Sequence, residues 1–501
     1  MSWDFYGRTE PLTELRRILG AGRWFFCRIE GRRRIGKTTL LWHLAQANSD
    51  LEERLFYCQV PDSDERDVAA TFRQSLIDVG SKDALALAAA VVDFPSMARA
   101  IGQLCRTGKI VVLDEFQYFT RATLRAFNSF LQAEVDQLRN AQLQNGGLFV
   151  LGSVQSEMTA TLEDRAAPLY GRLTHTLHLD HWDFEDLMAV FQSQNLTVPS
   201  QWLTLWTFFE GVPKFYNDAF EQGLYAVPVE RFSAELLERM FLRGSSPLAE
   251  EADTWFLREL RGRVVSILHY LAEHPGCSNA QLTGALNDTN DRTPLATYLA
   301  VLVNKYKMVD RRNPVFSDSK SRNARYYIAD NFLQAWLTVA KPARSAARLK
   351  RIARAVEPAL IRLQTLEGST FERLVRQLHI EVSRKGRGDF ELSSIQLGYW
   401  NRPREVARSI EIDLVAIDEP SRRIRFGSCK RRAAAHDEQA LQNFEGHVNG
   451  FMRSAEGRRV KEWSAERVLF SPEFPTATRQ HLTAKGYRCL DLQDYASLLS
   501  G

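Results

Sequence analysis

The stretch GRRRIGKT occupies residues 31–38 and directly follows the apolar segment Trp24–Ile29. It fits the spacing GxxxxGK[ST], in which a glycine-bearing loop connects a strand to the first turn of a helix. Glycines at positions 31 and 36 let the backbone approach an anion closely, so that its N–H groups can surround phosphate at the helix N-terminus. The stretch therefore predicts a phosphate-binding loop at the edge of a parallel α/β sheet.

The loop predicts a site for ATP with Mg²⁺. Lys37 can reach the β- and γ-phosphates, and the Thr38 hydroxyl can ligate Mg²⁺. The alternative is a basic loop that matches the spacing by chance, which the flanking strand and helix patterns argue against. The residues predicted to contact the nucleotide are Gly31, Arg32, Arg33, Arg34, Ile35, Gly36, Lys37, Thr38 and Thr39.

A second motif, KIVVLDEFQ (109–117), is a buried-strand pattern that ends in two carboxylates. Asp114 is predicted to hold the Mg²⁺ shell together with Thr38, and Glu115 is predicted to polarise the attacking water. The alternative is a strand end capped by solvated acids. The pairing with the phosphate loop favours a catalytic role in ATP hydrolysis.

The next strand, in LFVLGSVQSEM (148–158), ends beside Ser153. A polar residue at this place can sense the γ-phosphate, and it can equally cap a turn. Both interpretations of Ser153 remain open from the sequence.

Bulk properties limit the class of protein. The chain has 501 residues, enough for three or four domains, with 45% hydrophobic and 25% charged residues. Its six cysteines are scattered singly, which argues against a zinc ribbon or a disulfide framework. The sequence shows no signal peptide and no apolar run of the ~18 residues that a membrane span needs. We expect a cytoplasmic protein with no membrane contact.

The hydrophobic pattern divides the chain into four predicted parts. Residues 1–182 alternate strands with amphipathic helices, as in a parallel-sheet core. Residues 183–250 contain helices only and are predicted to form a helical lid. Residues 251–336 contain three helices and a hairpin, the pattern of a winged-helix domain. Residues 337–501 begin with a basic linker or helix and continue as a second α/β domain.

Several motifs, taken in order, make the chain resemble the archaeal-type P-loop ATPases, a group related to AAA+ and STAND ATPases. They are FYGRTEPLTELRRIL (5–19), GRRRIGKT, DEFQ, LGSVQSEM, APLYGRL (167–173), EGVPKF (210–215) and ARYYIADNFLQAW (324–336). The resemblance covers most of the chain. It implies that Arg172 is an arginine finger or sensor, acting in cis or from a neighbouring subunit of a homo-oligomer, and that Lys214 approaches the nucleotide. The alternatives are a surface arginine and a solvated lysine.

The same family often ends in a domain similar to restriction endonucleases of the PD-(D/E)xK type. The resemblance implies a nuclease-like site at Glu372, Asp413 and Lys430. Ser428 stands where that pattern has a metal-binding glutamate, and a hydroxyl is a poor substitute for a carboxylate ligand of Mg²⁺. We therefore expect a degenerate nuclease site. Two alternatives remain: Glu411, which shares a strand face with Asp413, compensates for the loss, or Asp413 and Lys430 form a plain salt bridge.

Two groups of basic residues favour DNA as a partner, bound through its phosphate backbone without sequence preference. The alternatives are a STAND-type signalling switch with a protein partner and an active metal-dependent nuclease. The spacing of His175, His178 and His181 is typical of a metal site, but on a strand the three side chains cannot converge. The basic residues are Arg344, Arg348, Lys350, Arg351 and Arg354 in one group and Arg422, Arg423, Arg425, Lys430, Arg431 and Arg432 in the other.

Overall fold

The computed structural model of the protein describes residues 3–153, 155–255, 260, 262–286, 293–317, 323–403, 406 and 409–500. The chain forms two compact units. The first contains residues 1–182 and 212–214, and the second contains residues 183–211 and 215–501. The segments predicted as helical lid, winged helix and C-terminal domain thus fall, apart from residues 212–214, within the second unit.

The first unit is built on a parallel sheet of five strands. The predicted parallel α/β sheet is confirmed. The strands read as nearly continuous apolar runs because helices cover both faces of a parallel sheet. They are β1 (Phe25–Gly31), β2 (Leu55–Gln59), β3 (Ile110–Asp114), β4 (Gly147–Gly152) and β5 (His175–Leu179), in the order β2-β3-β4-β1-β5.

Helices connect these strands and bury their apolar faces against the sheet. The helix that precedes β3 begins with a capping box, in which Asp93 and Ser96 satisfy each other's backbone N–H groups. The helices of this unit are α1 (Thr9–Gly20), α2 (Lys37–Gln46), α3 (Ser49–Arg54), α4 (Glu65–Val79), α5 (Lys82–Ala90), α6 (Phe94–Arg106), α7 (Phe127–Asn140) and α8 (Gln155–Leu162).

The second unit opens with a group of helices. The second of them is buried at every position but Ser200, and seven of its eleven residues, from Pro199 to Phe209, are apolar or aromatic. These helices are α9 (Phe184–Ser193), α10 (Pro199–Phe209), α11 (Pro213–Glu221, whose first two residues belong to the first unit), α12 (Val229–Leu237) and α13 (Glu251–Trp255).

Three helices and a small antiparallel sheet follow, in the order expected for residues 251–336. The sheet order is β6-β8-β7. We call residues 309–317 and 323–328, which contain its last two strands, the wing hairpin. The elements are α14 (Arg263–Glu273), β6 (Cys277–Ser278), α15 (Asn279–Leu286), α16 (Leu295–Ala300), β7 (Val309–Arg312), β8 (Arg325–Ile328), α17 (Asn331–Ala335) and α18 (Lys341–Ala347).

The rest of the second unit is a helix followed by a mixed sheet. The sheet order is β13-β12-β11-β10-β9, with antiparallel pairs from β9 to β11 and parallel pairs from β11 to β13. The elements are α19 (Ile352–Arg384), β9 (Ser394–Asn401), β10 (Ile410–Asp418), β11 (Arg423–Cys429), α20 (Glu438–Arg453), α21 (Ala455–Arg458), β12 (Ser464–Phe470), α22 (Thr476–Ala484), β13 (Arg488–Leu490) and α23 (Leu492–Ser500).

The spacing of the basic residues between Arg344 and Arg354 in the sequence favours one broad helical face, and this expectation is wrong. Helix α18 ends at Ala347 and α19 begins at Ile352, so the basic residues from Arg344 to Arg354 do not share one helical face. Among the described residues, no helix is both long enough and apolar enough to cross a membrane.

Candidate functional site

The phosphate loop leaves the end of β1 and enters α2, where the sequence predicted it. Gly31 has φ 157°, and a Cβ at this position would lie 2.4 Å from the Leu179 carbonyl oxygen, so only glycine fits there. Gly36 has φ 89°, in the left-handed region that favours glycine. The two glycines are therefore required by the shape of the loop.

Lys37 is buried beneath this loop. Its Nζ donates hydrogen bonds to the Gly31 carbonyl at 3.0 Å and to the Arg32 carbonyl at 3.1 Å. Burial lowers the pKa of Lys37 to about 8, against the opposing effect of the nearby carboxylates of Asp114 and Glu115. The ammonium group is thus held by carbonyl groups that an anion can replace.

Asp114, at the end of β3, receives three hydrogen bonds. The Thr38 hydroxyl donates to Oδ2 at 2.6 Å, and the Tyr57 hydroxyl donates to the same oxygen at 2.9 Å. The Glu115 backbone N–H donates to Oδ1 at 2.8 Å. The structure thus brings together the two residues predicted to ligate Mg²⁺. Tyr57, the middle residue of the neighbouring strand β2, was not predicted.

Glu115 lies in a second group with Gln117 and Ser153. The Gln117 side-chain amide donates to Glu115 Oε2 and, at 3.4 Å, to Ser153 Oγ. Ser153 Oγ also lies 3.4 Å from Glu115 Oε2. Strand β4 runs between β1 and β3, so Ser153 emerges between the loop and the carboxylates. Gln117 was missed as a site residue although it stands two positions after Glu115 in DEFQ.

Arg8 also supports the loop and was missed. It is buried, and its guanidinium donates to the Ile35 carbonyl at 2.9 Å and to the Asp180 carbonyl at 2.6 Å. Arg8 therefore ties the phosphate loop to the end of β5. Its signal was its place in FYGRTE, the first motif of the family resemblance.

The remaining predicted contacts line the rim of the loop. Arg32 Nη1 lies 3.4 Å from His181 Nε2, Arg34 has a left-handed backbone with φ 65°, and Ile35 is buried. Arg33 and Thr39 are exposed. Lys214 is an exposed residue in the first turn of α11, and its approach to nucleotide stays a prediction.

Arg172 does not join the site within its own subunit. Its guanidinium forms two hydrogen bonds to Asp136, at 2.8 and 2.9 Å. Arg172 lies just before β5, close in sequence to Thr174, whose hydroxyl donates to the Phe26 carbonyl at the start of β1. The phosphate loop follows the opposite end of β1. At ~3.3 Å per residue, the five residues from Phe26 to Gly31 separate the two ends by roughly 16 Å. This geometry is against a role in cis; a role in a neighbouring subunit stays a prediction.

The nuclease-like residues form a second group, on the C-terminal sheet. Strand pairing brings Ser428 beside Asp413, whose Oδ2 accepts from the Cys429 N–H at 2.9 Å and from Ser428 Oγ at 3.5 Å. Lys430 Nζ lies 3.8 Å from the same oxygen. Glu372, on α19, is close enough that the Asp413 charge raises its pKa, although burial is the larger cause. Burial also raises the pKa of Asp413.

This second group does not fit a divalent metal ion. The Ser428 hydroxyl is oriented toward Asp413 and adds no negative charge. Glu411, the predicted substitute ligand, is bound by Arg325 at 2.8 Å. Lys430 Nζ lies near Asp413, as the ion-pair alternative expects, and the degenerate nuclease site stays a prediction.

Another acidic group, of Asp183, Glu185 and Glu381, lies in the second unit. Lys385 Nζ approaches all three carboxylates, at 2.7, 2.5 and 3.0 Å. Glu381 also accepts the backbone N–H groups of Phe184 and Glu185. An ammonium group and a helix start therefore already satisfy these oxygens.

Several residues of the two basic groups form ion pairs or hydrogen bonds within the second unit. Arg423 and Arg425 both pair with Glu466, and Arg431 pairs with Glu367 at 2.5 Å. Arg344 donates to the Phe241 carbonyl at 3.0 Å. The second basic group is thus largely internal. The exposed members of the two groups are Arg348, Lys350, Arg351, Arg354, Arg422 and Arg432.

Comparison with known protein families agrees with the phosphate-loop geometry. Residues 5–219 match a family described as an ATPase domain predominantly from Archaea. The chain carries an archaeal-type P-loop ATPase domain. Beyond this ATPase domain, residues 336–441 match a family described as archaeal and bacterial proteins of unknown function.

Individual relatives span most of the chain. The uncharacterized protein MJECL04 of Methanocaldococcus jannaschii is 24% identical over 434 residues, which cover 85% of this chain and 87% of that protein. Among solved structures, the Walker-type ATPase paby2304 of Pyrococcus abyssi matches with 17% identity and a TM-score of 0.49, over 67% of this chain and 97% of that one. The Aeropyrum pernix ORC2 protein in ADPNP–ADP complexes matches with 14% identity and a TM-score of 0.48, over 72% and 95%.

Proposed function

We propose that the ATPase domain binds ATP together with Mg²⁺ and hydrolyses it at the carboxyl edge of the five-stranded sheet. The single observation that carries this proposal is the hydrogen bond from Thr38 to Asp114 beside the phosphate loop. A hydroxyl and a carboxylate at this spacing are the protein ligands typical of Mg²⁺ at a nucleotide site.

Each side chain has a role that follows from its contacts. Lys37 can exchange its two carbonyl partners for phosphate oxygens, because an ammonium group gains more from a charged acceptor than from a neutral one. Thr38 and Asp114 would hold Mg²⁺, which neutralises charge on the phosphates. Glu115 would accept a proton from the attacking water. Ser153, bonded to Gln117, would connect the γ-phosphate to the position of Glu115.

Replacement of Lys37 tests nucleotide binding. We expect Lys37→Ala to weaken ATP binding by about 100-fold, since two charge-assisted hydrogen bonds are lost. Lys82→Ala, an exposed lysine on α5, is the matched control and should bind as the wild type does. The measurement is titration calorimetry with ATP and Mg²⁺. Unchanged affinity in Lys37→Ala would contradict the assignment of the loop.

We also propose that the protein associates with DNA through the exposed basic stretch from Arg348 to Arg354. Four cations, Arg348, Lys350, Arg351 and Arg354, lie within seven residues and are exposed. Such a stretch attracts phosphate backbones without reading sequence. The segment with the winged-helix order of elements supports the same role. A protein-directed signalling switch is the rival function.

The salt dependence of binding separates these two functions. We expect affinity for a random-sequence duplex to fall with salt, with a log–log slope of about −0.9 for each phosphate contact. Changing the four cations to glutamine should flatten that slope. The control changes four exposed cations of the first unit, Arg66, Arg73, Lys82 and Arg99, which alters net charge equally. Absence of binding at low salt would refute the DNA role and favour the signalling switch.

A further inference from the structure

The wing hairpin does not project into solvent; it packs on the C-terminal sheet. Val315 is only 3% exposed and belongs to the same buried core as Tyr399 and Phe451. The ring of Phe316 stacks on that of Phe451, with centroids 6.3 Å apart. The chain between β7 and β8 therefore contributes side chains to the core of the domain beside it.

Polar contacts fix the same hairpin along β9, the edge strand of that sheet. Trp400 Nε1 donates to the Asn323 carbonyl at 2.7 Å, and Asn323 Nδ2 donates to Asn401 Oδ1 at 3.3 Å. The Arg325 guanidinium lies 4.7 Å from the centre of the Trp400 ring. An exposed edge strand is a ready template for unwanted pairing, so a hairpin that covers it also protects the sheet.

The docked hairpin brings Arg325 to the carboxylate cluster, by which we mean Glu372, Glu411 and Asp413. Arg325 Nη1 lies 2.8 Å from Glu411 Oε1, and Lys430 Nζ lies 3.8 Å from Asp413 Oδ2. The charge of Arg312, also on the hairpin, lowers the pKa of Glu372 against the larger effect of burial. Cations of the protein thus pair with Glu411 and Asp413.

We infer that the carboxylate cluster is a docking site for the wing hairpin, in which Arg325 pairs with Glu411 in place of a divalent metal ion. The serine at position 428, where the nuclease pattern has a glutamate, agrees with this pairing, because a fourth carboxylate would have no cation as a partner. A docked hairpin also leaves the nuclease-like face closed to a nucleic acid backbone.

The apolar contacts provide most of the stability of this docking. The side chains of Arg325 and Glu411 remain 29% and 61% exposed, and ion pairs this open contribute little net free energy. Burial of Val315 and the contacts on Trp400 contribute more. The arginines therefore determine which cation occupies the cluster, while the apolar residues hold the hairpin in place.

Cross-linking tests the docking in the full-length chain. In Asn323→Cys/Asn401→Cys, a short bismaleimide should join the two introduced thiols in high yield. The six native cysteines are buried, and each single-cysteine variant serves as a control. A double variant that cross-links no more than the single variants would overturn the docking.

Manganese binding, followed by electron paramagnetic resonance without nucleotide, tests the replacement of the metal. We expect wild type and Asp413→Asn to bind Mn²⁺ equally, since the cluster holds none. Arg325→Ala, or Arg312→Ala with Arg325→Ala, should bind at least about tenfold more tightly, and adding Asp413→Asn should abolish the gain. Arg325→Lys keeps the charge and should behave as wild type.

Two results would overturn the inference. One is Mn²⁺ binding by the wild type that is lost in Asp413→Asn. The other is no gain of Mn²⁺ in either arginine variant while its cross-linking shows a folded, docked chain. Neither ATP turnover nor DNA binding enters these measurements, so their outcome is independent of the proposed function.

Discussion

The chain contains two groups of carboxylates, one predicted to help bind Mg²⁺ and the other predicted to be a degenerate nuclease site, and the surroundings of the two groups differ. At the phosphate loop, Asp114 accepts hydrogen bonds from Thr38, Tyr57 and the Glu115 backbone. On the C-terminal sheet, the carboxyls of Glu372 and Asp413 are half-buried, and partial removal from water raises the pKa of both. The charge of Asp413 raises the pKa of Glu372 further, because a like charge nearby favours the protonated form.

The difference teaches that residue identity alone does not define a metal site. Both groups contain acidic residues at family positions that accept hydrogen bonds, but only the first lies beside a phosphate loop. In the second, Arg325 and Lys430 lie beside Glu411 and Asp413. Variants that alter the surroundings of each carboxylate therefore test the comparison more sharply than removal of the acids themselves.

Gln117 gives the largest expected effect among these variants. Because its amide donates to Glu115 Oε2, Gln117→Ala should lower kcat about tenfold with little change in KM, the cost of one hydrogen bond to a charged group. Gln117→Glu should also move the acidic limb of the pH–rate profile upward, because two neighbouring carboxylates repel each other when both are ionised. Steady-state kinetics between pH 5 and 9 provide the measurement.

A purely structural role of Gln117 makes a different prediction. In that case both variants lose stability and turnover together, with pH profiles that superimpose on the wild type after scaling. Gln103→Ala, an exposed glutamine on α6, should change neither property. Superimposable profiles would remove Gln117 from the catalytic site.

The Glu372 carboxyl should affect how the stability of the folded protein depends on pH. Because the folded-state pKa of Glu372 is raised above its unfolded value of about 4.3, ionisation destabilises the fold as pH rises through that range. Glu372→Gln should therefore raise the Tm by roughly 2 °C at pH 8 and by nothing near pH 4. Differential scanning calorimetry at the two pH values gives the comparison.

Glu367, on the same helix, is the matched control for that measurement. It is buried but accepts hydrogen bonds from Thr204 at 2.6 Å and Arg431 at 2.5 Å. Glu367→Gln should lower the Tm at pH 8, because an ion pair loses one partner. If Glu372→Gln also lowers the Tm at pH 8, then Glu372 stabilises the fold in its ionised form as Glu367 does, which contradicts the expectation for Glu372.

The sequence predicted the first site well because its signals are local. GRRRIGKT and DEFQ each carry their residues within nine positions, and five apolar runs mark the strands that align them. The Thr38 hydroxyl accordingly lies 2.6 Å from Asp114 Oδ2. Tyr57 and Arg8 reach the site from other elements, so their roles depend on the strand order and could not be read from spacing.

The second unit was harder to predict because its contacts connect distant segments. Arg325 meets Glu411, and Arg431 meets Glu367, across 86 and 64 residues. The charge pattern of the sequence does not distinguish such internal pairs from a DNA-binding surface. For this reason Arg423, Arg425 and Arg431 were assigned to a DNA-binding surface. Arg172 shows the same limit, since its partner Asp136 lies on α7.

The turnover of Glu115→Gln tests the central claim most directly. We predict that wild-type protein hydrolyses ATP with Mg²⁺, and that Glu115→Gln binds ATP with unchanged affinity while its kcat falls by about 10²- to 10⁴-fold, because only the water-activating carboxylate is lost. Glu53→Gln, an exposed residue of α3, should hydrolyse ATP at the wild-type rate. A Glu115→Gln protein that turns over ATP as fast as wild type would contradict the account of the site.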